Sequence, residues 1–157
     1  MKTYQNIAQF REHLGREIGV SPWETISQGQ INDFADATGD HQWIHIDRKK
    51  AAVQSPYKTT VAHGFLTLSL APKLMSDLYK INSVKVGINY GTNKVRFMAP
   101  VPSGSRVRMR MTLKEVEEQE SGGVRATTEC VFEREGSDKP VCVAELITLL
   151  FEKSPFS

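Results

Sequence analysis

The chain has 157 residues, 39% hydrophobic and 24% charged, with a net charge of +2, which is the size and composition of one ordinary globular domain. So small a basic excess argues against a nucleic-acid-binding surface. The N-terminal MKTYQNIAQFREHLG lacks the apolar core of a signal peptide, and the longest apolar-rich stretch, Phe65–Met75, contains Pro72 and Lys73 and is too short to cross a bilayer.

The expectation is therefore a cytoplasmic protein with neither a membrane nor a nucleic-acid partner. Cys130 and Cys142 stand in no metal-binding spacing and read as reduced, buried thiols.

In chain order, Ile7, Phe10 and Leu14 recur at helical spacing and Gly15 follows as a stop, so residues 1–20 are expected to be a helical segment. WETIS reads as a short extended piece. Ser27 with Gln30 three residues later has the form of a capping box, Ile31, Phe34 and Ala35 repeat on one face, and Gly39 ends that helix. Residues Asp40 to His45 are then expected to form an irregular loop, with Asp47 capping a second short helix at RKKAAV. GFLTLSLAPKLMSDLY is apolar on more than one side, as a helix wrapped by other structure would be, with Pro72 as a kink or a break.

Beyond Lys80 the chain reads as strands. KVGINY and KVRFMA are two short ones. SRVRMRMTLKEVEE alternates, with Val107, Met109, Met111 and Leu113 on one side and Arg106, Arg108 and Arg110 on the other; the phase slips near Lys114, which predicts a bulge. GVRATTECVFEREG alternates too, and PVCVAELITLLFE is apolar on both parities, as in a central or interface strand. PVPSG, ESGG and EGSDK are expected to be turns between hairpin strands. The pattern is α+β, one domain over 1–157: a curved antiparallel sheet around an apolar helix.

The chemistry concentrates in ATGDHQWIH and AHG. Asp40 and His45, four residues between them, qualify by type as a general acid–base pair if a loop turns both into one cavity. Gly64 opens the apolar helix, where the first N–H groups lack internal partners and a glycine permits close approach of an oxygen. No Ser or Cys stands beside them as a nucleophile, and Asp40, His41 and His45 lack a helical metal-binding spacing. Each of these residues also has a structural reading: Asp after Gly is common in turns, and Trp43 is expected to be wall or packing.

FADATGDHQWIHIDRKKAA followed by VAHGFLTLSL, with NYGTNKVRFMAPVPSGSRVR beyond it, resembles the MaoC-like dehydratases, the (R)-specific enoyl-CoA hydratase family, and within it the NodN-like branch. The resemblance runs from about Val20 to Phe151. In the family motif Gly-Asp-x-Asn-Pro-x-His, Gly39, Asp40 and His45 match, whereas Gln42 and Trp43 replace Asn-Pro as is typical of that branch. It implies a hot dog fold with a long central helix and a homodimer whose sheets join edge to edge. The implied reaction is reversible hydration of a trans-2-enoyl-CoA to an (R)-3-hydroxyacyl-CoA, without cofactor or metal, CoA being part of the substrate.

On that reading Asp40 takes a proton from water, His45 delivers one to C2, and the Gly64 N–H holds the thioester oxygen. Trp43, His63 and Phe65 line the substrate site, with His63 expected to fix the loop by bonding to backbone. Lys94, Arg96 and Arg106, or Arg108, are candidate contacts for the phosphates. A hot dog thioesterase and a non-catalytic acyl-thioester-binding protein are the competing readings, since fold alone does not settle function.

Overall fold

The computed structural model describes residues 1–156. Its larger sheet has the order β2 (Glu17–Val20), β6 (Arg106–Glu118), β7 (Val124–Arg134), β8 (Cys142–Phe151), β5 (Val86–Phe97), all antiparallel, with β3 (Glu24–Thr25) also pairing β6. The alternation in β6 sets its inner face. Val107, Met109, Met111 and Leu113 are fully buried, each worth about 1.5–3 kcal/mol of apolar burial. The arginines between them turn outward and meet the acids of the neighbouring strands: Arg108 Nε donates to Glu133 at 2.8 Å, and Arg110 reaches both Glu133 and Glu17. The predicted phase slip is a register shift between Leu113 and Glu115.

The helical elements pack on the inner face. α2 (Gln28–Thr38) begins at Ser27, whose Oγ accepts from the Gln30 N–H, and ends at Gly39 in the left-handed region (φ 82°). After a one-turn helix, α3 (Trp43–Ile46), comes α4 (Arg48–Gln54), capped by Asp47 accepting from the Lys50 N–H. The long central helix is interrupted: α5 (Gly64–Ser69) and α6 (Ala71–Leu78) meet at Leu70, and Pro72, which has no N–H to donate, sits in the first turn of α6. Leu66, Leu74 and Leu78 join Phe10, Met109, Met111 and Phe132 in one core.

Several expectations are corrected. The N-terminal segment is not simply helical. β1 (Lys2–Tyr4) pairs in parallel with β4 (Tyr79–Ile81), α1 (Ile7–Arg11) spans five residues, and β2 follows. Ile7 and Phe10 are buried as anchors, but Leu14 is 48% exposed, because the chain has left the helix and Gly15 donates its N–H to Leu113. The two short strands after Lys80 are one strand, β5, whose pairing with β8 slips between Asn89 and Gly91 and again between Asn93 and Arg96. PVPSG joins β5 to β6, which lie at different positions in the sheet, so it is a crossover and not a hairpin turn. The residues Asp40–His45 are not all irregular, since Trp43–Ile46 form the turn of α3.

Candidate active site

The chain leaves α2 at Gly39, and the left-handed cap turns Asp40 back toward the start of α5. The Asp40 N–H lies 3.5 Å from Thr38 Oγ1, its Oδ1 accepts from the Gln42 N–H at 3.3 Å, and its carbonyl accepts from His63 Nε2 at 3.0 Å. His45, on α3, is 7% exposed. Its Nδ1 donates to the Val61 carbonyl at 2.7 Å. A carbonyl can only accept, so the neutral ring presents Nε2 as a lone pair, and Nε2 lies 4.0 Å from Asp40 Oδ2.

Burial holds the His45 imidazole below its ordinary pKa, with the neighbouring His63 pushing the same way, against the upward pull of the Val61 bond and the Asp40 carboxylate. His63 itself, 3% exposed, stacks on His45 with ring centres 3.8 Å apart, and its Nε2 lies 3.9 Å from Asp40 Oδ2. One ligand-type atom from each of Asp40, His45 and His63 lies within 4.8 Å of the others. That donor set has the composition of a metal site, but His63 Nε2 is already engaged by the Asp40 carbonyl.

Gly64 follows at once. Neither its N–H nor that of Phe65 has an acceptor among the described residues. A Cβ at Gly64 would sit 2.9 Å from the Phe97 ring, which packs edge-on against Phe65 at 5.5 Å. Gly64→Ala is therefore expected to destabilise by about 1–3 kcal/mol of overpacking and to lower turnover. Adding Phe97→Ala should return much of the melting temperature, as thermal denaturation of the single and double variants would show.

Past Gly64, Leu68, Ala71, Pro72 and Met75 face Tyr90 and Leu146 across a cleft of about 400 Å³. Trp43 is half-buried under Lys50, whose Nζ lies 4.8 Å from the ring centre. His41 turns away to Asp36, 2.8 Å from its carboxylate, which raises its pKa. His13 lies outside the cluster and bonds to the Glu17 carbonyl at 2.7 Å.

The basic residues expected to meet phosphate are placed differently. Arg106 is on the outer face of the sheet, held by both Glu135 oxygens at 2.6 and 2.8 Å, and Arg108 is held by Glu133 over the Trp23 ring. Charges already paired in this way are less available to an anion than free ones. Lys94, in the left-handed region (φ 53°), lies 3.7 Å from Glu145 in a separate polar depression. Arg96 precedes Phe97 on β5 and donates to the adjacent Val95 carbonyl at 2.8 Å.

Gln28 escaped the sequence reading. From the first turn of α2 its Nε2 donates to the His45 carbonyl at 2.7 Å, and its Oε1 accepts from the buried Thr60 hydroxyl. It ties α3 to the segment that returns to Val61, and no sequence spacing signals that role.

His63 joins the two candidate side chains in a way that predicts a measurable effect. Its Nε2–H fixes the Asp40 backbone and its ring fixes the tilt of His45. His63→Ala should therefore lower kcat by about 10²-fold through misplacement, with KM moving far less. Steady-state kinetics read that split, and a loss confined to KM would show that His63 does not position the pair.

A curved antiparallel sheet closed over a short helix pair defines the hot dog class. The MaoC-like domain family matches residues 9–133. The chain is 52% identical over 147 residues to the 3-hydroxyacyl-thioester dehydratase Z of Mycobacterium tuberculosis, covering 94% of this chain and 97% of the relative. It is 43% identical over 146 residues to nodulation protein N of Rhizobium leguminosarum bv. viciae, covering 92% and 91% respectively. Among solved structures, the unliganded R-hydratase PhaJ1 of Pseudomonas aeruginosa shares the fold with a TM-score of 0.72 at 21% identity, over 96% of this chain and 88% of that one. The chain belongs to the MaoC-like dehydratase family, and it is a hydro-lyase. No helix among the described residues is long and apolar enough to cross a membrane.

Proposed function

We propose that the protein adds water reversibly to a trans-2-enoyl thioester, giving the (R)-3-hydroxyacyl thioester, with Asp40 and His45 as the acid–base pair. The observation that carries this reading is the 4.0 Å approach of His45 Nε2 to Asp40 Oδ2 beside the unpartnered Gly64 N–H. In the hydration direction the pair holds one proton, on His45 Nε2. Asp40 takes a proton from water as its oxygen adds to C3, and His45 gives its proton to C2. The pair ends with its single proton on Asp40, ready either to return to His45 or to drive the reverse dehydration, in which neutral Nε2 removes the C2 proton and Asp40 protonates the leaving hydroxyl. The Gly64 N–H, with that of Phe65, receives the charge that develops on the thioester oxygen. Because α5 has only six residues, this stabilisation rests on individual N–H groups more than on a helix dipole. The cleft beyond Leu68 offers apolar walls to the acyl chain.

Thioester hydrolysis through a covalent cysteine intermediate is disfavoured. Burial pushes the Cys130 thiol up to about 12 and Cys142 up to about 11, so neither offers a thiolate at neutral pH. The same reading includes a homodimer. β5 ends the sheet, its outer edge pairs with no strand among the described residues, and Phe65, Tyr90, Phe97 and Met98 are exposed alongside it; such an edge is ordinarily covered. The test is crotonyl-CoA followed at the enoyl-thioester absorbance, with chiral analysis of the product and thiol release measured in parallel. Formation of (R)-3-hydroxybutyryl-CoA without thiol release is expected; thiol release alone would favour the thioesterase.

A further inference from the structure

The segment between His45 and Val61 departs from the active site and returns to it. Val61 donates its N–H to the Ile44 carbonyl at 3.0 Å and accepts from His45 Nδ1 at 2.7 Å. Both ends of the intervening excursion are thus pinned to the turn that carries His45. The excursion holds Arg48, Lys49, Lys50 and Lys58 against one carboxylate, Asp47, in a chain whose net charge is only +2. Asp47 is used as the α4 cap.

None of the four cations meets a carboxylate among the described residues. Lys50 lies over Trp43, Lys58 Nζ reaches only the Val53 carbonyl at 3.5 Å, and Arg48 and Lys49 have no partner. The contrast is with β6, where Arg106, Arg108 and Arg110 are each matched by a glutamate. Apolar surface is interleaved with these charges: Val53 is 74% exposed and Tyr57 50%. Lys49 and Val53 are four residues apart on α4, hence on one face, and they point away from Ala51, which is fully buried.

We infer that this excursion is the docking surface for an acidic acyl carrier protein that presents the thioester on its phosphopantetheine arm. The inference rests on the hydratase reading above and specifies its substrate carrier. Unpaired cations mixed with exposed valine and tyrosine along one short excursion complement an acidic protein surface, whereas a phosphate pocket gathers its donors around one point. Because the excursion is tied to His45 at both ends, a protein seated on it delivers its arm beside Asp40, His45 and Gly64. Lys94, Arg106 and Arg108, each beside a glutamate, are not needed for recognition.

The test uses the full-length protein and crotonyl thioesters of N-acetylcysteamine, of CoA and of an acidic acyl carrier protein, with the variant Arg48→Glu/Lys49→Glu/Lys58→Glu. Lys50 is kept because it packs on Trp43. The variant should lose about tenfold or more in kcat/KM toward the carrier-protein thioester, within the range that electrostatic steering supplies, and nothing toward the N-acetylcysteamine thioester. Added salt should weaken turnover of the carrier-protein thioester by the wild type and leave the N-acetylcysteamine reaction unchanged; this arm needs no variant to fold. Calorimetric titration with the acyl carrier protein reads docking independently of turnover. Equal binding by wild type and variant overturns the inference, as does an equal loss toward the CoA thioester, which would make the patch a phosphate site. Failure of the wild type to hydrate the N-acetylcysteamine thioester would overturn the hydratase reading instead, with the titration still deciding the docking surface.

Discussion

Asp40→Asn is expected to lower hydration of crotonyl-CoA by about 10²–10⁴-fold, the contribution of a positioned acid–base group, while leaving the melting temperature nearly unchanged. The substitution keeps the shape of the side chain. The Asn oxygen still accepts from the Gln42 N–H, and the backbone carbonyl still accepts from His63 Nε2. What disappears is the carboxylate proposed to take the water proton. A second consequence separates this from a misfolded variant. The Asp40 charge raises the His45 pKa against burial, so in Asp40→Asn the His45 titration, followed by its imidazole NMR signal, should move to lower pH. Normal turnover by the variant would remove Asp40 from the mechanism.

Local rules reached some of this architecture, and long-range pairing decided the rest. Ser27, Gly39 and Asp47 act within a turn of their own positions, and each caps as its residue type dictates. The slip at Lys114 was legible because a strand's side-chain period is two and Leu113 to Val116 breaks it. β5 was not legible as one strand. Asn89, Gly91 and Asn93 interrupt its apolar pattern, and only pairing with β8 across two slips keeps it continuous. β1 has no signal of its own; it exists because Tyr79–Ile81 lie beside it at the end of α6.

The site divides in the same way. Asp40, His45 and Gly64 stand in recognisable motifs. By contrast, the stack of His63 on His45 and the Gln28 clamp join residues distant in sequence, which no local spacing encodes. The arginines of β6 were open candidates in the sequence because their acidic partners, Glu17, Glu133 and Glu135, belong to other strands or turns.

His45→Gln should cost a similar factor, about 10²–10⁴, and its coupling to Asp40 is the sharper result. If the two residues share one proton across 4.0 Å, each is useless without the other. The double variant Asp40→Asn/His45→Gln should then be little slower than the worse single one, as groups that act as a unit are strongly non-additive. Independent roles would instead multiply the two losses, so single-turnover rates of the four proteins decide between them. The same substitution has a stability signature with a definite sign. Burial keeps the folded His45 pKa below its unfolded value, which is about 6.5. Between those two values the unfolded chain binds more protons, so the His45 contribution to stability is fully present above about pH 6.5 and is lost as pH falls toward the folded pKa. Glutamine does not titrate. The melting temperature of His45→Gln should therefore gain on that of the wild type as pH is lowered below about 6.5, and a constant difference across that range would mean that the imidazole is no more costly to protonate in the folded protein than in the unfolded one.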